Sequence, residues 1–173
     1  MIARVLYDKG YQEYVDAARY IQSKYSNVEF WLLGKIDNEY PNHVPKDVIN
    51  RDSNDGIIKY LGYSIDVPHF IRKADCIVLP SYHEGLSRVL MEAIAMQKPV
   101  ITTDIPGCRE TVDDGANGYL IPPKNSRKLA EAIERFLHLS DAQKEEMGKY
   151  SRNKAEMQFD INQVISIYRK ITG

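Results

Sequence analysis

The sequence predicts an α/β fold, in which helices cover both faces of a parallel sheet. Five short apolar runs have the length of strands, and helical patterns stand between most of them. Because these runs lack a polar face, they are typical of strands that are buried on both sides. The five runs lie at residues 30–33, 58–61, 76–79, 100–102 and 119–121.

Apolar residues that recur at intervals of three and four predict helices between these strands. The patterns cover residues 11–25, 86–94 and 129–137, and each gives one apolar face. Residues 35–56 are polar, rich in Asp, Asn and Pro, and show no period. We therefore expect a surface loop there, with at most one helical turn.

The end of the chain is predicted to be a helical tail that packs on the domain. Ser140 and Gln143 have the spacing of a capping box, which predicts a helix that turns Met147, Tyr150 and Ala155 inward. A second helix is predicted by an apolar stripe, made of Ile161, Val164, Ile165, Tyr168 and Ile171.

The composition limits the number of domains and the classes of partner. A chain of 173 residues, 43% of them hydrophobic, can bury one core, so residues 1–173 are predicted to form a single domain. The formal net charge of −1 provides no basic field for nucleic acid. Cys76 and Cys108 lack the spacing of a metal site or a disulfide framework, which fits a reducing cytoplasm. No apolar run approaches the roughly 20 residues of a transmembrane segment.

The first residues resemble the end of a buried strand. Met1, Ile2, Ala3 and Val5 are apolar, and no signal peptide core is present. Domains usually begin at an exposed, polar boundary. We therefore expect the sequence to be part of a longer protein.

Two acids flank the loop and helix that follow the apolar run at 76–79. Ligands of parallel α/β sheets bind at the carboxyl ends of strands, where helix N-termini attract anions. Glu84 lies in the loop, and Glu92 lies about 9 Å along the helix axis if the helix begins near residue 86. The two acids are therefore predicted to hold the two ends of an extended ligand. Between them, the amides of Gly85, Leu86 and Ser87 are expected to face a phosphate.

Two cations near the first strand complete the predicted site. Arg4 and Lys9 surround a strand-to-helix turn that ends at Gly10. An Arg can bind phosphate oxygens through two N–H groups, and a Lys acts as a mobile point charge. Together they would neutralise a diphosphate and stabilise its departure without a metal.

Segments 4–10, 74–95 and 98–122 resemble, in this order, the retaining glycosyltransferases of group 1 (family 4 type). These enzymes have two Rossmann-like domains and the GT-B fold. The resemblance implies a doubly wound, Rossmann-like domain that binds a nucleotide sugar. A glycan or lipid-linked acceptor would be bound by a further N-terminal domain, so this domain alone would be inactive. It also implies a cytoplasmic enzyme, whose full-length form could lie at the inner face of the membrane.

The resemblance further implies roles for single residues. Arg4 and Lys9 would contact the diphosphate, Glu84 the transferred sugar and Glu92 the ribose. The donor would be a UDP-linked hexose or N-acetylhexosamine, transferred with retention of configuration and without a metal or other cofactor.

Three further residues are interpreted through the same resemblance. Gly62 and Tyr63 follow the run at 58–61, where the family places its base-binding loop, and an ordinary turn is the alternative. Ser87 stands where the family often has a glycine, but it retains a backbone amide.

Proteins with other functions also use a doubly wound sheet. A nicotinamide or flavin oxidoreductase requires a glycine-rich fingerprint after its first strand, and Gly10 is the only glycine there. A nucleotide-sugar epimerase of the same architecture and a non-catalytic module that binds a sugar nucleotide are the alternatives left open.

Overall fold

A computed structural model of the protein describes residues 1–160 together with residues 162, 165 and 169. Helices and short strands alternate along this part of the chain. The strands are β1 (Trp31–Leu32), β2 (Lys59–Tyr60), β3 (Ile77–Leu79), β4 (Val100–Thr103) and β5 (Gly118–Ile121). The helices are α1 (Tyr11–Gln22), α2 (Lys46–Asn54), α3 (Val67–Lys73), α4 (Arg88–Ala95), α5 (Ser126–Leu137) and α6 (Asp141–Gln158). Single turns of 3₁₀ helix lie at Tyr7–Lys9 and Arg109–Thr111.

All pairings between these strands are parallel. β3, β4 and β5 form a three-stranded sheet in that order, and β1 pairs with β2. A further parallel bridge joins Ile2 to Leu33, so the first residues run beside the end of β1. The strands are shorter than the apolar runs, but the predicted α/β fold with parallel strands is confirmed.

The two faces of the three-stranded sheet contribute to different cores. Val78 and Ile101 lie in a core with buried residues of α1 and α5. Ile77 and Val100 lie in a second core with buried residues of α3, α4 and α6. Because successive residues of a strand face opposite sides, each short strand supplies both cores. Helices therefore cover both faces, as the apolar runs predict.

The prediction of a loop over residues 35–56 is wrong for its second half, which forms α2. α2 has only two apolar residues, Val48 and Ile49, which pack on the core, and a polar network adds to this packing. The Asp52 carboxylate, only 2% exposed, accepts hydrogen bonds from Tyr11 Oη at 2.9 Å and from Arg19 Nη2 at 2.6 Å. Such a polar anchor between distant segments leaves no hydrophobic period in the sequence.

The predicted tail agrees with the structure only in part. Ser140 and Gln143 form the capping box of α6, and Met147 and Ala155 are buried as predicted. Tyr150 is instead 43% exposed, and its hydroxyl lies near the carboxylate of Asp113 at the surface. Of the predicted stripe, Ile165 is 40% exposed, against expectation, and four residues lie outside the described part: Ile161, Val164, Tyr168 and Ile171. Within the described residues, every helix is too short or too polar to span a lipid bilayer.

A buried lysine ties α6 to the turn before β5. Lys154 Nζ donates a hydrogen bond to Asp113 Oδ1 at 2.9 Å, and the Lys154 side chain is 6% exposed. Ser151 Oγ donates to the carbonyl oxygen of Lys98 at 2.9 Å. These bonds fix the helix against the end of the sheet.

The stabilisation from the Asp113–Lys154 pair is expected to be lost at low pH. The hydrogen bond from Lys154 holds the pKa of Asp113 below its ordinary value of 3.8. The pair therefore stabilises the folded state fully at pH values above 3.8, the ordinary pKa of the carboxyl group. This contribution is lost as the pH falls through the lowered pKa of Asp113 in the folded protein. Asp113→Asn should lower the Tm at neutral pH by about 2–4 °C, the equivalent of roughly 1 kcal/mol for a partly exposed pair, and by less near about pH 3. An equal difference at both pH values in thermal denaturation would exclude a role for the charge.

Candidate functional site

An open cleft lies at the carboxyl end of β3, beside the first turn of α4. Its volume of about 840 Å³ is in the range of small-molecule sites. The polar lining consists of Arg4, Lys9, Glu84, Ser87, Arg88 and Glu92. The apolar lining consists of Ile2, Ala3, Ile65, Val67, Pro68, Leu79 and Val89. The structure therefore brings both predicted acids and both predicted cations into one cleft.

Two glycines position the loop that carries Glu84. Gly10 has φ +80°, and a Cβ there would lie 2.6 Å from the carbonyl carbon of Pro80. Gly107 has φ +86°, and a Cβ there would lie 2.8 Å from the carbonyl carbon of Glu84. Any other residue would be strained and would clash at both positions. The loop is thus held between two chain segments that approach its backbone closely.

The backbone amides of this loop differ in their availability. Those of Gly85 and Leu86 donate no hydrogen bond within the described chain, so they are available to an anion. The amide of Ser87, also predicted to face a phosphate, donates to the carbonyl oxygen of Gly107 at 2.9 Å in this structure, so it is not available to an anion here. Ser87 is the N-cap of α4, which leaves Leu86 on the loop and 48% exposed.

Lys9 and Glu84 form an ion pair inside the cleft. Lys9 Nζ lies 2.8 Å from Glu84 Oε1 and 3.0 Å from the carbonyl oxygen of His83. The side chains of Lys9 and Glu84 are only 17% and 16% exposed. Lys9, predicted to contact the phosphate, and Glu84, predicted to contact the sugar, thus hold each other in place in the free protein.

Arg4 lies at the edge of the cleft and is partly occupied by its neighbours. Its Nη1 is 3.6 Å from Asp37 Oδ2, and its guanidinium carbon is 4.9 Å from the centre of the Tyr40 ring. Half of the Arg4 side chain is exposed, so solvent largely screens its attraction to Asp37. Another anion could therefore replace Asp37 as the partner of Arg4.

Glu92 and the predicted base-binding residues differ in position. Glu92 lines the cleft, is half-buried, and forms no ion pair within the described residues. Gly62 and Tyr63 do not line the cleft, and Tyr63 is 68% exposed. The residues that follow them do reach it, beginning with Ile65.

Sequence reasoning missed Arg88 and the apolar wall. Arg88 is the first residue of α4 and lies four residues before Glu92, so helical spacing places both on one face. The four-residue spacing from Glu92 could therefore have predicted Arg88 as a residue of the cleft. The apolar wall gave no such signal, because Ile65 and Pro68 belong to a loop and a short helix that only the tertiary fold brings to the cleft.

Within the described part of the chain, the cleft region has neither an activated thiol nor a cluster of metal ligands. Burial raises the pKa of the Cys108 thiol above its ordinary value of 9.0, so the thiol is uncharged at neutral pH. Among the residues that the structure describes, no three His, Cys, Asp or Glu side chains are grouped so as to hold a metal ion.

Parallel strands with helices on both faces and a charged cleft at their carboxyl ends define a Rossmann-like domain of the GT-B class. HepE from Anabaena, solved in complex with UDP, superposes with a TM-score of 0.84 and is 26% identical over 99% of this chain and 47% of HepE. The C-terminal domain of LpcC, a glycosyl transferase group 1 family protein of Francisella tularensis, shares the fold. Its TM-score is 0.78, with 24% identity, over 92% of this chain and 85% of that domain.

The family follows from the sequence match. The family model described as "Glycosyl transferases group 1" matches residues 1–154, and the chain belongs to this family. One relative is the N,N'-diacetylbacillosaminyl-diphospho-undecaprenol alpha-1,3-N-acetylgalactosaminyltransferase of Campylobacter jejuni. It is 30% identical over 171 residues, which are 99% of this chain and 43% of the relative. The chain therefore spans less than half the length of this relative.

Proposed function

We propose that the cleft binds the nucleotide-sugar donor of a group 1 glycosyltransferase, with UDP as the nucleotide. The observation that carries the proposal is the single cleft in which Arg4, Lys9, Glu84 and Glu92 meet. A diphosphate requires cations, whereas sugar and ribose hydroxyls require acceptors, and the cleft offers both. The complex of the related HepE with UDP supports this choice of nucleotide.

The diphosphate would lie against Lys9, Arg4 and the free amides of the loop. Because Lys9 is already paired with Glu84, the phosphate would join an existing ion pair rather than meet an isolated cation. Glu84 would then accept hydrogen bonds from the transferred sugar, and Glu92, further along α4, from the ribose. Cations that stabilise the departing nucleoside diphosphate would lower the barrier to transfer without a metal.

The transferred group would be a hexose or N-acetylhexosamine, moved with retention of configuration to a glycan or lipid-linked acceptor. The name of the Campylobacter relative, which includes N-acetylgalactosaminyl transfer and a diphospho-undecaprenol compound, supports these classes. We assign acceptor binding to a second, N-terminal domain and the reaction to the cytoplasm, at the inner membrane face. Residues 1–173 alone are then expected to bind the donor but to transfer little sugar, since half of the closed site would be missing.

Isothermal titration calorimetry with UDP and with a UDP-sugar tests the roles of the two acids. Glu92→Ala should weaken both ligands about 10-fold, because it removes the acceptor for the ribose hydroxyls. Glu84→Ala should weaken the UDP-sugar about 10-fold and leave UDP within about twofold of the wild-type affinity.

Glu146→Ala, on the exposed surface of α6, is the control and should bind both ligands normally. An equal loss of UDP affinity in the two cleft variants would contradict the division of roles. If the unmodified protein gave no binding heat at millimolar UDP, the proposed function itself would be wrong.

A further inference from the structure

Arg88 is the one cation of the cleft without an acidic partner in the described part of the chain. Lys9 Nζ lies 2.8 Å from Glu84 Oε1, and Arg4 Nη1 lies 3.6 Å from Asp37 Oδ2. Within the described residues, no carboxylate oxygen lies within 4.0 Å of an Arg88 nitrogen. The cleft therefore contains one positive charge that is not offset by a neighbour.

The position of Arg88 on α4 places it at the cleft. Arg88 and Glu92 are four residues apart on one face of the helix, and both line the cleft. An Arg four residues before a Glu is the less favoured order for a helical ion pair, and the two do not form one here. Both side chains thus keep their polar atoms available.

The location is also electrostatically unfavourable for an arginine in the free protein. The first turn of a helix carries a partial positive charge from its unbonded amides, and a cation there is destabilising. Gly85 and Leu86, just before this turn, add two more free amides. An anion bound at this end of α4 would reverse the unfavourable interaction.

We propose that Arg88 is a donor-binding residue that contacts the diphosphate of the nucleotide sugar, an inference that rests on the proposed function of the cleft. Its planar guanidinium can donate two parallel hydrogen bonds to phosphate oxygens. When a phosphate binds, Lys9 and Arg4 must release their carboxylate partners or contact both anions at once. Arg88 has no carboxylate partner among the described residues, so it can bind the phosphate directly. A phosphate on the amides of Gly85 and Leu86 lies beside Arg88 along the chain.

Binding of UDP, UMP and uridine by calorimetry tests this inference. Arg88→Gln should weaken UDP about 10-fold, weaken UMP less, and leave uridine within about twofold. Arg88→Lys should recover part of the affinity for UDP, because it restores the charge but not the planar fork. Because Arg88→Gln removes a positive charge, UDP binding by this variant should also depend less on salt concentration.

Arg127→Gln is the matched control, because Arg127 lies in the first turn of α5 and its side chain is 88% exposed. It should bind all three ligands as the unmodified protein does. Unchanged UDP affinity in Arg88→Gln, or an equal loss for uridine, would overturn the role of Arg88 while the donor site stands. Failure of the unmodified protein to bind UDP would overturn both proposals. Thermal denaturation of each variant checks that the fold is retained.

Discussion

Gly10→Ala is expected to lower the free energy of unfolding by about 3 kcal/mol or more and to abolish UDP binding. The backbone of Gly10 has φ +80°, which costs an L-residue roughly 1–2 kcal/mol. Its new Cβ would also overlap the carbonyl group of Pro80, with 2.6 Å to the carbonyl carbon. Overpacking of this kind adds about 1–3 kcal/mol. Relief of the overlap would move Lys9 away from the loop of Glu84. Urea denaturation and calorimetry measure the two effects.

Gly115→Ala separates strain from collision. Gly115 has φ +83°, but no atom lies within 4 Å of the position that its Cβ would occupy. This variant should lose only about 1–2 kcal/mol of stability and should bind UDP normally. Equal destabilisation of the two variants would show that contact with Pro80 contributes little to the position of the loop.

Lys9→Gln is expected to weaken UDP binding about 100-fold and to leave uridine binding unchanged. Lys9 is only 17% exposed, so its charge is poorly screened, and charge-assisted hydrogen bonds in such settings contribute about 1.5–3 kcal/mol. The substitution also leaves the Glu84 carboxylate unpaired, and this carboxylate would repel the diphosphate. Titration of the variant with UDP and with uridine measures both outcomes.

Two further variants show which of these effects dominates. Lys9→Arg keeps the charge and should retain most of the affinity. The double variant Lys9→Gln/Glu84→Gln removes the unpaired carboxylate, so it should bind UDP more tightly than Lys9→Gln alone, although still more weakly than the unmodified protein. A single Lys9→Gln variant with unimpaired UDP affinity would place the diphosphate elsewhere.

The sequence predicts most of the fold because helical and strand periods reflect burial directly. The helices at 11–22, 88–95 and 126–137 each carry an apolar stripe, and the structure contains all three. α2 was missed because it has only two apolar residues, and its further anchor is the carboxylate of Asp52, which bonds to residues more than 30 positions away. A hydrogen bond to a distant side chain produces no local pattern.

The location of the site could be predicted, but its internal contacts could not. Loops at the carboxyl ends of parallel strands converge whatever their sequence, so Lys9 and Glu84 were expected to be neighbours of one ligand. Their direct ion pair depends on the exact approach of two loops, which Gly10 and Gly107 control. The same approach directs the amide of Ser87 to a carbonyl oxygen, and the motif alone carries no sign of it.

The contacts of Arg4 extend the influence of the cleft beyond its own lining. Asp37 and Tyr40 hold the guanidinium from the segment between β1 and α2, and neither residue lines the cleft. Substitutions in that segment would therefore change the affinity for a phosphate without removing any group that contacts it. Variation among homologous chains at Asp37 and Tyr40 would then tune donor affinity from outside the binding surface.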